Sequence, residues 1–563
     1  MTDHPRMPCA NYYCTWQIME WLPSHCGKAG LQPRDVLCDE LLFGADGIAV
    51  RMHPQVREHL YFLVDDGWDV RSSRQGRLDE ELWLKPRLGS CQISAQKFPD
   101  YGDTPPERLK TLADKVKALG WKGLGVWISP TVSYGTSVAD RDKDFAAFWK
   151  TRLEWSKYAG VAYWKVDWGS YDISDKHKKL MMTLKNEVYP ELIFENAFVR
   201  APMNPGKREG LFQLNAHRHR LSYSDVLRTY DVTYPLSIPT TLSRVAALLC
   251  HPPKMNAGCL GLINAEDELY LGAVLGLSMG VMRYDIGEHP PASGPNIAFG
   301  GTGLFPTTRP ARKQLDEVRR AVRWQQEAPA FSVALGNSTV SKAENCDRWR
   351  FTQDQSWKNY YEKPFLEQCA PRIVARNVNA PELDCETYSE NIPYLIASRN
   401  PNGALAIGTL GRVAQETGCC VPRADVRWSP GALSGVIGLF GEFRSLTLTF
   451  DTPLDGKRIY AKDLAEETLH DITDQAEISG STLRLSGELI REYGLSAGTD
   501  GDFSEPGMLL QIGERADFAA VPVVPAKAVK PPLYAAHKRI LAIGAFFHSL
   551  RQKREHKQKI KGK

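Results

Sequence analysis

Seven polar residues stand at the ends of short apolar runs in the first half of this 563-residue chain: Asp65, Asp66, Lys165, Asp167, Glu195, Asn196 and Asp231. A carboxylate-rich set with one lysine suits two tasks. Short, fixed donors and acceptors hydrogen-bond sugar hydroxyls, and a carboxylate working with a carboxylic acid cleaves a glycosidic bond. Metal binding is the competing use of clustered acids. The set contributes no His, and the chain has no HExxH or EF-hand spacing, so neither a metal nor a cofactor is expected. Each acid also has a plain reading, because Asp or Asn after a buried strand commonly caps the next helix. Asp167 stands apart: Trp164, Lys165 and Trp168 crowd it, and Lys165, on the same face of the strand, is expected to hold it ionised. His217 and His219 read as solvated loop residues.

These residues need a frame that brings strand ends together. Tyr61-Phe62-Leu63-Val64 reads as a buried strand, and after a long loop Thr104-Pro105-Pro106-Glu107 opens a helix with Leu109, Leu112, Val116 and Leu119 on one face. The pattern then repeats: a strand over 121–129, a helix over about 143–159, the strand Val161–Val166, a helix over about 175–188, and the strand Leu192–Phe194. Further units carry Leu227–Asp231 and Val274–Asp285, and a last amphipathic helix spans Ala311–Gln326. So many alternations predict a (β/α)8 barrel over 41–330, with residues 1–40 as an extension packed on it. No GxGxxG or Walker-type loop follows a strand, which argues against nucleotide binding. From 331 to 520 short alternating strands predict an antiparallel β-sandwich.

Residues 521–563 read as a Pro-rich linker and a basic tail. The stretch 527–563 carries 11 Lys or Arg against a single acid, Glu555, so the net +4 of the chain resides in its end. Basic surface confined to a tail argues against a nucleic-acid partner. Ile540, Phe547, Leu550 and the seven terminal Lys or Arg would permit contact with a membrane surface, but a solvated end is the preferred reading. No long apolar run or export signal is recognised and the 12 Cys are scattered, so reduced thiols and a cytoplasmic location are expected.

The stretch from about 58 to 290 resembles the catalytic barrel of the α-galactosidase (melibiase) clan of retaining glycoside hydrolases. Asp65-Asp66-Gly67-Trp68 resembles the clan's first-strand motif, whose paired aspartates take the 4- and 6-hydroxyls of a terminal galactose. Lys97-Phe98-Pro99-Asp100 and Gly123-Leu124-Gly125-Val126-Trp127-Ile128 are similar to its next segments. Tyr163-Trp164-Lys165-Val166-Asp167 resembles the strand bearing the nucleophile, Asp167, with Lys165 on a sugar hydroxyl.

By the same resemblance Glu195 and Asn196 are substrate contacts, and Arg228-Thr229-Tyr230-Asp231 carries the general acid/base. The clan separates that Arg and Asp by four positions, whereas Asp231 follows Arg228 by three, so Asp225 is the rival for the role. Trp68 or Trp168 is a candidate platform for the sugar's apolar face, with core packing the equal alternative for each, and Trp127 and Arg228 are further candidate substrate contacts. The implied substrate is a glycoside or oligosaccharide, cleaved by double displacement. Other specificities on the same fold (β-L-arabinopyranose, α-N-acetylgalactosamine, raffinose-synthase-like transfer), a catalytically inactive carbohydrate-binding protein, and a metal-dependent barrel enzyme remain the alternatives.

Overall fold

The computed structural model describes residues 9–25, 31, 33–69, 89, 91–130, 138–169, 171–172, 174–197, 208–229, 236–284, 314–350, 365–384, 392–414, 418–420 and 422–514. Eight strands form one parallel sheet: β1 (Tyr12–Cys14), β2 (Tyr61–Val64), β3 (Gly123–Ile128), β4 (Tyr163–Val166), β5 (Ile193–Ala197), β6 (Val226–Arg228), β7 (Leu262–Asn264) and β8 (Gly280–Val281). Neighbours pair in chain order, β8 pairs with β1, and a parallel bridge from Asn264 to Ser278 closes the ring. The major helices alternate with the strands: α1 (Trp16–His25), α2 (Pro105–Ala118), α3 (Val138–Ala159), α4 (Asp175–Val188), α5 (Arg208–Leu221), α6 (Ser237–Cys250), α7 (Leu269–Leu275) and α8 (Leu315–Glu327). This is the expected (β/α)8 barrel.

The local signals behave as their chemistry requires. Ahead of α2, the Glu107 carboxylate accepts from the Thr104 backbone N–H at 3.0 Å and hydroxyl at 2.7 Å, and Leu109, Leu112 and Val116 are buried. Three expectations change. The first strand lies at Tyr12–Cys14, inside the stretch read as an extension; three residues are too few to show a period. The unit expected over Val274–Asp285 begins as the end of α7, stopped by Gly276 at φ 62°, and of its described residues only Gly280–Val281 is strand. From Val274 to Val281 every residue is buried, so the apolar residues give no periodicity. His217 and His219 lie on α5, not in a loop, and His217 is buried.

Strand alternation sorts the tip residues. Tyr12, Cys14, Tyr61, Leu63, Tyr163, Ile193, Val226 and Leu262 fill the barrel interior, while Phe62, Val64, Trp164, Phe194, Leu227 and Ile263 belong to the larger core beneath the helices. Lys165, Glu195, Arg228 and Asn264 share the inward phase.

The C-terminal region contains an eight-stranded and a five-stranded sheet enclosing a second core, which includes Leu395, Ile407, Trp428, Leu446, Leu448 and Leu510. The pairs Ile373–Arg376 with Tyr394–Arg399, Leu405–Leu410 with Val436–Phe440, and Ala424–Gly431 with Phe443–Phe450 run parallel, so these sheets are mixed rather than purely antiparallel. The other face of the larger sheet packs on the barrel: Ile396, Ala406 and Phe440 join the core of Val274 and Trp324. Arg320 of α8 grips Asp463 with two hydrogen bonds of 2.7 Å, both side chains fully buried. Cys346 and Cys369 form a disulfide between paired strands, so the expectation of reduced thiols fails there. Among the described residues no helix is long and apolar enough to cross a membrane. The linker and basic tail lie outside the described residues.

Candidate active site

The C-terminal ends of β2, β4 and β6 bring Asp65, Lys165, Asp167 and Arg228 together in a buried cluster. The Lys165 ammonium donates to Asp65 Oδ2 at 2.5 Å, and the Cys14 thiol lies 3.0 Å from the same oxygen. Asp65 Oδ1 accepts from the Asp66 backbone N–H at 2.8 Å, and the Asp65 N–H donates to Thr15 Oγ1 at 2.9 Å. Burial opposes the charge on Asp65, yet Lys165 and these donors hold its carboxyl below the ordinary value. Burial equally disfavours the ammonium of Lys165, and Asp65 more than offsets that. Lys165 is thus paired with Asp65, not with Asp167 as expected.

Asp66 is occupied by Arg34, whose Nε and Nη2 donate to its two oxygens at 3.0 and 2.6 Å. Burial pushes the Asp66 carboxyl up, against the pull of Arg34. Gly67 has φ 90°, and a Cβ there would come within 2.5 Å of the Arg34 side chain, so this turn requires glycine. Lys97 ties the same turn down, donating to the carbonyls of Arg34 at 2.7 Å and Gly67 at 2.5 Å. Burial pushes its ammonium down to about 8, against the pull of Asp35 and Asp69.

Asp167 is 4% exposed and is held on one side only. Its Oδ2 accepts from the Trp127 indole N–H at 3.1 Å and meets Arg228 Nη2 at 2.8 Å, while Oδ1 is buried without a hydrogen-bond partner. A carboxylate fixed through one oxygen, with the other uncommitted, is preorganised for attack. Trp127 is fully buried, and Trp168, half-buried, lies with its ring 5.3 Å from it. Trp127 therefore orients the carboxylate, and Trp168 is the residue of the three with surface left for stacking. Trp68 is not: it is 0% exposed, and its indole N–H donates to the Trp127 carbonyl at 3.0 Å.

Side-chain direction places Glu195 and Asn196 differently. Glu195 points inward but is saturated. It accepts from Tyr12 Oη (3.2 Å), Tyr163 Oη (2.6 Å) and Asn264 Nδ2 (2.7 Å), and Arg228 Nε lies 3.5 Å away. Both of its oxygens are thus engaged within the barrel. Asn196, one residue on, points outward by strand alternation, and its Nδ2 donates to Ser224 Oγ at 2.8 Å between the ends of β5 and β6.

Asp225 stands at the opposite end of the barrel from Asp167. It precedes β6, pairs with Lys185 at 2.9 Å and accepts from the backbone N–H of Phe194 and Leu260. Asp231 lies outside the described residues. Sequence reasoning missed Glu266, two residues past β7, with Oε1 3.3 Å from Arg228 Nη1. Burial raises its carboxyl to about 7, against the pull of Arg228. The three-residue β7 gave no strand signal that could have marked it. Among the described residues no group of three or more His, Cys, Asp or Glu could hold a metal ion.

No family model matches the chain, and no curated protein matches it. Solved structures similar to it include a GH27 β-L-arabinopyranosidase from Geobacillus stearothermophilus in complex with arabinose, with 10% identity, 93% of this chain and 100% of that chain covered, and a TM-score of 0.36. Another is α-galactosidase I from Mortierella vinacea, with 12% identity, 91% and 99% covered, and a TM-score of 0.35. A third is the α-galactosidase from Saccharomyces cerevisiae with raffinose, with 10% identity, 90% and 98% covered, and a TM-score of 0.34.

Proposed function

We propose that this chain is a retaining exo-glycoside hydrolase that releases terminal α-galactose, or a closely similar sugar, from glycosides. The observation that carries the reading is Asp167: buried at the barrel's C-terminal rim, fixed by Trp127 and Arg228 through Oδ2, with Oδ1 uncommitted. In this mechanism Oδ1 attacks the anomeric carbon as the glycosidic C–O bond breaks, giving a glycosyl ester on Asp167. A general acid protonates the departing oxygen, then as its conjugate base deprotonates the water that hydrolyses the ester. The motif resemblance assigns that acid/base role to Asp231. Asp65 and Lys165 form the rigid polar wall for sugar hydroxyls, and the half-buried Trp168 faces the sugar's apolar side.

A panel of aryl glycosides with product analysis tests this. Turnover of aryl α-galactoside with retention, lost in Asp167→Asn, is the expected result. Turnover confined to β-L-arabinopyranosides or α-N-acetylgalactosaminides would move the specificity and keep the mechanism. Sugar binding without turnover of any glycoside would overturn the reading.

A further inference from the structure

Among the described residues the buried charges around Asp167 are unevenly paired. Asp65 has Lys165 and Asp66 has Arg34, each as a close partner. The remaining carboxyls, Asp167, Glu195 and Glu266, converge on one guanidinium, with Arg228 at 2.8, 3.5 and 3.3 Å. Neutral donors from Tyr12, Tyr163 and Asn264 compensate Glu195, and the Trp127 indole serves Asp167. Among the described residues Glu266 has no such help: it is 3% exposed, and its Oε2 is buried with no hydrogen-bond partner there.

Its position is imposed by the backbone. Glu266 has φ 55°, an uncommon conformation for a side chain of this size, held by an N–H bond to Asn264 Oδ1 at 2.8 Å and by the Gly280 N–H on its carbonyl at 3.2 Å. The charged and titratable groups facing it are Arg228 from β6, Asp167 and Lys165 from β4, Glu195 from β5 and Tyr12 from β1. Three carboxylates sharing one directly paired guanidinium in a desolvated site are costly even with Lys165 nearby, and a single proton on the least compensated carboxyl removes most of that cost.

We propose that Glu266 is a positioning residue that works as a neutral carboxylic acid: uncharged, it leaves the guanidinium of Arg228 committed to Asp167. When Glu266 ionises, it competes for that guanidinium and loosens the grip on the nucleophile. Its elevated carboxyl, at about 7, agrees with this charge state.

The kinetic part rests on the glycosidase reading, so the test has two arms. In the first, kcat/KM for an aryl α-galactoside is measured against pH for the full chain and for Glu266→Gln, a fixed neutral isostere. The wild type loses activity as pH rises through about 7, and the variant keeps it to higher pH while staying within about tenfold of wild type at pH 5.5. An unchanged alkaline limb overturns the proposal. So does a loss larger than about tenfold at pH 5.5, which would place Glu266 in proton transfer itself. In the second arm, thermal midpoints from pH 5 to pH 8 need no substrate. The variant gains stability relative to wild type as pH rises; a constant difference overturns the proposal. Should Glu266→Gln not fold, Glu266→Met is read the same way. A protein that turns over no glycoside would defeat the functional reading alone, leaving the thermal arm to decide Glu266.

Discussion

Arg228 and Arg320 are both buried guanidinium groups, and the difference between them separates chemistry from scaffolding. Arg320 meets Asp463 one to one, with two bonds of 2.7 Å and no exposure on either side chain. That pair joins α8 to the C-terminal sheets and holds no charge in reserve. Arg228 is divided among three carboxyls at unequal distances, leaving one oxygen of Asp167 and one of Glu266 uncommitted. Perfect pairing stabilises a fold, whereas incomplete pairing in a buried cluster is sustained by surrounding structure and leaves groups poised to react.

Removing the poised group is the largest break. Asp167→Asn is expected to lower kcat/KM for an aryl α-galactoside by on the order of 10^4-fold while the thermal midpoint moves little. The matched pair responds the opposite way. Arg320→Met strands a buried Asp463, costing about 3–5 kcal/mol by denaturant unfolding, and leaves kcat/KM of the folded protein unchanged.

The pH dependence of stability carries the same contrast. Burial lifts Glu266 from 4.5 to about 7. The folded protein therefore holds a proton that the unfolded chain releases across this window. Stability from this group is intact below pH 4.5 and declines until pH reaches about 7, by on the order of 3 kcal/mol in total; Glu266→Gln removes that decline, read from urea midpoints across the window. Arg228→Lys keeps the charge but loses the fork that spans three carboxyls, and about a 10^2-fold fall in kcat/KM is expected. The smallest effect sharpens the boundary of the site. Asn196→Ala loses the bond to Ser224, costing about 1 kcal/mol of stability with KM unchanged in steady-state assays.

The barrel was legible wherever an amphipathic helix separated two strands, as α2 and α4 do, because a 3.6-residue period and capping chemistry survive in sequence. It was illegible at β1, β7 and β8, which are three, three and two residues long. The site followed the same rule. Asp65, Asp167 and Lys165 end readable strands and were found together, whereas Glu266 follows an unreadable one and was missed. Proximity to a strand tip does not fix what a side chain meets: alternation turns Asn196 outward, and Glu195 and Asp66 are engaged by protein donors, neither of which a one-dimensional pattern records. Asp225 precedes its strand rather than following it, a distinction that hinges on where the three-residue β6 begins.

The most direct test of the account is to incubate the full chain with a mechanism-based α-galactosyl reagent and map the modified peptide by mass spectrometry. A single label on Asp167, absent from Asp167→Asn and blocked by galactose, is the predicted result. Stoichiometric labelling of a different carboxyl, with Asp167 unmodified, would contradict the assignment of the nucleophile on which the account rests.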